Sequence, residues 1–224
     1  MGYRSAIARQ LSSQWQKSPE AIASSLGAIL AQQQSDWEIR VLPQGWLEGK
    51  LCHRSLAAWL QHSLEFIVPT VADTTETPLT AALFPLQYIH VRFCTLLQMA
   101  HRDRLIRLEY PDTPPPWRWQ SPQNVPWLQN HRIRFSQTAE WALLGQIWDI
   151  LDLEAIAPTK IGLQAALRLG KAGLQFEQTC RIWGEVQRNT PQLALTRLAL
   201  VAMAQKVLWR LLREQLQVTP RWRL

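Results

Sequence analysis

The sequence predicts a mainly helical protein, α+β overall, in which a small N-terminal α/β module precedes a larger helical bundle. Three observations carry that expectation. Apolar residues recur at helical spacing through most of the 224 residues. The strand-like alternation is confined to two runs near the start, Trp37–Leu42 and Trp46–Leu51. Third, 47% hydrophobic against 18% charged content suits a folded chain and argues against disorder.

Taken in order, residues 3–17 and 18–34 read as two helices. The second opens on Ser18-Pro19-Glu20, a capping serine, a proline at the first helical position and an acid in the first turn. Pro43-Gln44-Gly45 supplies a turn between the two alternating runs, and Ser55 caps a helix to about Glu65. Residues 68–78, polar and threonine-rich, read as a linker between a module at 1–67 and a bundle at 79–224. Leu79–Ala100 reads as a strong helix. Residues 109–134 hold six prolines and three tryptophans and read as a stiff insertion. Its Trp117-Arg118-Trp119 and Trp127 either stack on bases or a partner's groove, or fold back over the bundle. Helices follow over 138–151, from Pro158 to about Cys180, and from Pro191 to Val218.

The last helix carries two stripes. Leu195, Leu198, Val201, Ala202, Gln205, Leu208, Leu212 and Leu216 form an apolar seam with one polar interruption. Lys206, Arg210 and Arg213 share another face and read as a basic edge for phosphates, continued by Arg221, Trp222 and Arg223. The net charge of +7 is concentrated here: residues 181–224 hold eight Lys/Arg against two acids. Such an end suits a polyanion such as RNA, and equally a solvated helix or an acidic protein.

Several functions are argued against. No run approaches the ~18 apolar residues of a membrane span, and the first residues do not read as a secretory segment, so no membrane insertion and a cytoplasmic location are expected. Cys52, Cys94 and Cys180 lie far apart, outside any C-x-x-C pair, and read as buried small residues. None of the five histidines stands at metal-ligand spacing with another His or Cys. No metal, cofactor or catalytic residue is therefore expected, and Glu140, Asp149 and Asp152 read as solvated helix-face carboxylates.

Five segments resemble one family. Phe84-Pro85-Leu86-Gln87-Tyr88-Ile89-His90-Val91-Arg92-Phe93-Cys94 resembles the F-Y-V-Q-Y-A-H-A-R-I-C run that opens the anticodon-binding (DALR) bundle of arginyl-tRNA synthetases. Phe176–Glu185 resembles that family's F-x-x-x-C-R-V-x-G segment, and Thr196–Val218 with Thr219-Pro220-Arg221 its closing helix and tail. Ser18–Ala23 and Leu42–Gly49 are similar to its additional N-terminal domain, with N-P-x-x-I-A and G-P-G-F-I-N-F runs. Nothing resembles the catalytic H-I-G-H or K-M-S-K motifs. The resemblance implies a synthetase relative without its catalytic core, binding tRNA or another structured RNA but not an enzyme. It places Tyr88, His90 and Arg92 in the bundle, either as structural anchors or as RNA contacts. The alternatives are a protein-interaction subunit of a larger complex, its tryptophans anchoring the partner, and a fragment that aminoacylates only with a catalytic subunit in trans.

Overall fold

The structure, a computed structural model, describes residues 2–33, 36–65, 83–156 and 162–223. Among them are eight α-helices and seven short strands, the mainly α class expected. The chain forms two compact units, Met1–Trp59 with Asn130–Ile133, and Leu60–Gln129 with Arg134–Leu224.

The first unit runs β1 (Gly2–Ser5), α1 (Ile7–Trp15), α2 (Pro19–Gln33), β2 (Trp37–Leu42), a 3-10 turn (Pro43–Gly45) and β3 (Trp46–Leu51). The strands form an antiparallel sheet in the order β1-β3-β2. The expected helix over 3–17 is corrected at its start. Tyr3 pairs with Gly49 and Arg4 with Glu48, so these residues satisfy the β3 edge instead of beginning a helix. The start of α2 is as expected, the Ala21 amide donating to Ser18 Oγ at 3.2 Å. Gly45 sits at φ +76°, and a Cβ there would lie 2.5 Å from Pro19, so the turn requires glycine.

Alternation divides the sheet's two faces. Ala8, Ile22, Ala23 and Leu47 form the core, with Leu11, Leu26 and Ile39 packed against it. The other face pairs Glu48 with Arg4 at 3.0 Å and Lys50 at 3.2 Å. Hydrogen bonds from Arg4 and then Lys50 hold the Glu48 carboxyl below its ordinary range.

α3 (His53–Glu65) begins before the expected Ser55 cap. The Cys52 sulfur takes the capping position, accepting from the Ser55 amide at 3.5 Å, while Ser55 Oγ donates to Asp36 at 2.5 Å. The two units divide within this helix, between Trp59 and Leu60, and not after residue 67. The 68–78 linker lies outside the described residues, as do 79–82 and the expected helix start at Pro158.

The second unit contains α4 (Phe84–Arg102), β4 (Arg107–Glu109), β5 (Arg118–Ser121) and β6 (Leu128–Gln129); β7 (Arg132–Ile133) belongs to the first unit. Then come α5 (Thr138–Ile156), α6 (Leu163–Thr179), α7 (Glu185–Asn189) and α8 (Pro191–Arg210). The 109–134 insertion is thus partly strand, with β4 antiparallel to β5. α6 approaches α4 closely: a Cβ on Gly173 would meet Ile89 at 2.9 Å and Phe93 at 3.1 Å.

α8 is the centre of this unit. It packs against α4, α5, α6 and α7, and every residue from Thr196 to Trp209 is buried. A helix covered on all sides needs no polar stripe, and this one has apolar or small residues around most of its circumference. It stops being α-helical at Arg210 and closes in a π-helical turn, Leu211–Gln215. Gln217 then adopts a left-handed φ of 53°, and the Val218 amide reaches back to Leu212 O at 2.8 Å. The expected helix to Val218 is therefore shortened. No described helix is long and apolar enough to cross a membrane.

Candidate nucleic-acid interface

The expected basic edge of α8 is corrected by its burial. Lys206 is 6% exposed, and its Nζ donates to the Leu64 carbonyl at 2.5 Å. Burial, reinforced by the charge of Arg118 and opposed by Glu65, brings its ammonium down to about 8. Arg210 pairs with Glu154 at 2.8 Å, with Glu214 one turn away at 3.7 Å. Arg213 is half-buried, its guanidinium 5.8 Å from the centre of the Trp209 ring. These three cations share a face as the spacing requires, but that face is turned into the protein.

Another cation of α8 lies deeper. Arg197 donates to Glu140 Oε1 at 2.6 Å, to the Arg181 carbonyl at 2.5 Å and to Ser136 Oγ at 3.2 Å. The other Glu140 oxygen accepts from the Ser136 and Gln137 amides, each at 2.6 Å, capping the start of α5. Glu140 is fully buried, so it is no solvated helix-face carboxylate. It joins α8 to the α5 entrance.

The C-terminal tail is different. Beyond Gln217 it lies along α4, held by side chains that read its backbone. Gln87 donates to Thr219 O at 2.8 Å and accepts from the Arg221 amide at 2.9 Å. His90 Nδ1 lies 2.7 Å from Arg221 O, and Gln205 Nε2 lies 3.0 Å from His90 Nε2. A carbonyl only accepts, so Nδ1 carries the proton and Nε2 accepts from the Gln205 amide. Burial brings this imidazole down to about 4 and keeps it neutral. His90 therefore anchors the tail and does not face a ligand.

Clamped in this way, the tail presents Arg221 and Arg223 to solvent, with Trp222 half-buried between them. The Trp222 ring meets Trp117 edge-on at 6.1 Å, and the Arg223 guanidinium lies over it at 3.9 Å. Trp222 thus lies against Trp117 and under the Arg223 guanidinium, with Arg221 an exposed neighbour in the chain.

Of the two alternatives for the insertion's tryptophans, the described residues take the folded-back one. Trp117, Trp119 and Trp127 are 4%, 8% and 3% exposed. Each indole N–H is satisfied internally: Trp117 by Thr113 O, Trp119 by Pro122 O, and Trp127 by Gln61 Oε1. Gln61 also bonds Gln123 O and the Val125 amide, fastening the segment to α3. Arg118 alone of this group is exposed, on β5.

On α4, Arg92 pairs with Glu177 of α6 through its Nε at 2.6 Å, which raises its already high value. Tyr88 is 36% exposed and stacks on Phe84, itself 59% exposed, at 6.3 Å. Cys94 and Cys180 are buried as expected, and Cys52 is half-buried. No group of three or more His, Cys, Asp or Glu that would hold a metal occurs among the described residues.

Gln87, read only within the α4 run, and Gln205, read only as the polar interruption of the α8 seam, hold the clamp that the sequence did not foretell. The available signal was Gln205 itself, a glutamine breaking an otherwise apolar stripe; a buried amide needs partners, and His90 is one. No protein-family model, curated protein or solved structure matches the chain.

Proposed function

We propose that this protein is a non-catalytic RNA-binding protein that grips structured RNA, tRNA foremost, through its C-terminal tail. The observation that carries this reading is the tail platform, Arg221-Trp222-Arg223, held in place by Gln87 and His90. A tryptophan ring with the Arg223 guanidinium over it and a second exposed arginine beside it in the chain offers aromatic surface to a base and charge to the neighbouring phosphates. Because the backbone is already clamped, little ordering cost remains on binding.

The resemblance to arginyl-tRNA synthetases supports the same choice of ligand. The Gln87 and His90 that hold the tail belong to the α4 run that carries the resemblance, and the tail follows the closing helix that also carries it. On this reading the chain keeps tRNA-grasping segments of such an enzyme without the activating core. The protein-interaction alternative loses its ground in the three insertion tryptophans, which are buried. Exposed apolar side chains among the described residues, the Phe84–Tyr88 stack and Trp15 included, remain to it.

The test is tRNA affinity of the full chain as a function of salt, with and without Arg221→Gln, Trp222→Ala and Arg223→Gln together. The expected result is a loss of at least about tenfold and a salt slope smaller by about 1–2 units. Unchanged affinity and slope would reject the tail as the interface.

A further inference from the structure

Among the arginines of this structure, some are committed to the fold and some are not. Those at 4, 92, 134, 197 and 210 bond carboxylates, carbonyls or amides within the fold. Arg102, Arg104 and Arg107 make no guanidinium hydrogen bond or ion pair among the described residues, yet they converge. All three line a concavity of about 690 Å³ at the C-terminal end of α4, together with His101, Gln98 and Asp112.

The walls of this concavity are fixed by the backbone. α4 ends at Arg102, and the next amides fold back onto it: Asp103 onto Met99 O at 2.9 Å, Arg104 onto His101 O at 3.1 Å and Leu105 onto Ala100 O at 2.9 Å. Ile106 and Leu108 are each 4% exposed and anchor the exit strand. Gln98 donates to Pro111 O at 2.8 Å, tying the opposite rim to α4. The Leu108 amide donates to His101 Nδ1 at 3.1 Å, which leaves the neutral ring's proton on Nε2, a donor. The Asp103 carboxylate is engaged by the Trp183 indole at 2.7 Å.

Arg104 stands at φ 60°, the left-handed position after a helix that glycine or asparagine normally takes. The chain accepts unfavourable backbone geometry there while keeping a third guanidinium in the group. Three mutually repelling cations on a fixed concave wall, against the single carboxylate of Asp112, favour an anion of more than one charge. Guanidinium forks match the oxygens of phosphate.

We propose that this corner of α4 and β4 is a binding site for a phosphate group, with Arg102, Arg104 and Arg107 as its ligands and His101 Nε2 as an additional donor. On the RNA reading above, the group is a backbone phosphate of the bound RNA. The site stands equally for a free phosphate-bearing molecule, and the two sources separate experimentally.

The experiment titrates the full chain with inorganic pyrophosphate by calorimetry and, separately, measures tRNA affinity across a salt series. Both use wild type, Arg102→Gln/Arg104→Gln/Arg107→Gln, and Arg104→Gly, whose backbone suits the left-handed position and so preserves the turn. Pyrophosphate affinity is expected to fall at least about tenfold in the triple variant and to weaken in Arg104→Gly. It should be unchanged in Arg168→Gln, a substitution at an exposed position of α6. If the phosphate comes from RNA, the triple variant also lowers the tRNA salt slope by about 2 units. A slope that stays at the wild-type value beside lost pyrophosphate binding assigns the site to a free ligand. Equal pyrophosphate and tRNA binding by wild type and the triple variant overturns the proposal. A wild-type protein that binds pyrophosphate but no tRNA rejects only the RNA reading.

Discussion

Two regions toward the end of this chain both carry cations and differ in burial. α8 carries Arg197, Lys206 and Arg210; the tail that follows carries Arg221 and Arg223. The first set is enclosed or paired, with Arg197 against Glu140, Lys206 against Leu64 O and Arg210 against Glu154. The second set stands in solvent on a backbone clamped by Gln87 and His90. A cation whose hydrogen bonds are satisfied inside the fold contributes to stability and specificity of packing. One held at the surface on a rigid backbone is available to a ligand. Positive charge in a sequence therefore points to a polyanion only after burial has been subtracted.

The sharpest way to break this contrast is to attack the buried set. Glu140→Gln leaves Arg197 uncompensated in the interior and removes an amide acceptor at the start of α5. The expected loss is about 3–5 kcal/mol of unfolding free energy by denaturant titration, with tRNA affinity of the remaining folded protein unchanged. A loss below about 1 kcal/mol would mean that the pair is not the anchor its geometry describes.

The clamp between the two regions comes next. His90 titrates at about 4 in the folded protein against an ordinary 6.5, so the unfolded chain binds the proton more readily. Its contribution to stability is complete above pH 6.5 and is lost as the pH falls toward 4, by about 3 kcal/mol in all. His90→Gln, which keeps a donor and an acceptor, should flatten stability between pH 4 and 6.5 relative to wild type. Parallel profiles for the two proteins would show that His90 is not the group responsible.

On the exposed side, Trp222→Ala should weaken tRNA binding by about 1–3 kcal/mol while changing stability by less than about 1 kcal/mol. The reverse ranking, a large stability loss with intact affinity, would move Trp222 into the structural set beside Trp117. Smallest of all is the effect expected of Lys206→Met on RNA. An enclosed ammonium contacts no phosphate, so tRNA affinity and its salt slope should stay within about twofold of wild type. A slope lowered by a full unit would show that α8 opens to admit the RNA.

Much of the scaffold was legible in the residues because its causes are local. Ser18-Pro19 begins α2, since a hydroxyl acceptor and a preset φ act on the next few residues only. The alternation at Trp37–Leu42 and Trp46–Leu51 makes strands, since side chains on a strand must alternate faces. The seam Leu198, Val201, Leu208 and Leu212 is buried as its spacing predicts. Gly2–Ser5 was not legible as a strand, because its partner β3 lies more than forty residues away. The platform residues Arg221, Trp222 and Arg223 were legible as candidates; the clamp that presents them was not, since Gln87 and Gln205 belong to distant helices.

By itself, then, the sequence determined the mainly helical class, most of the elements, their approximate ends and which side chains share each face. Those properties follow from backbone sterics, capping chemistry and helical or strand period, all acting over a few residues. Only the tertiary structure decided which faces are covered. It enclosed Lys206 and the insertion's tryptophans, set Glu140 against Arg197, and left Arg221, Arg223 and the Arg102–Arg107 corner in solvent. The reason is that burial depends on how many neighbours surround a helix, and period says which residues face together without saying what they face.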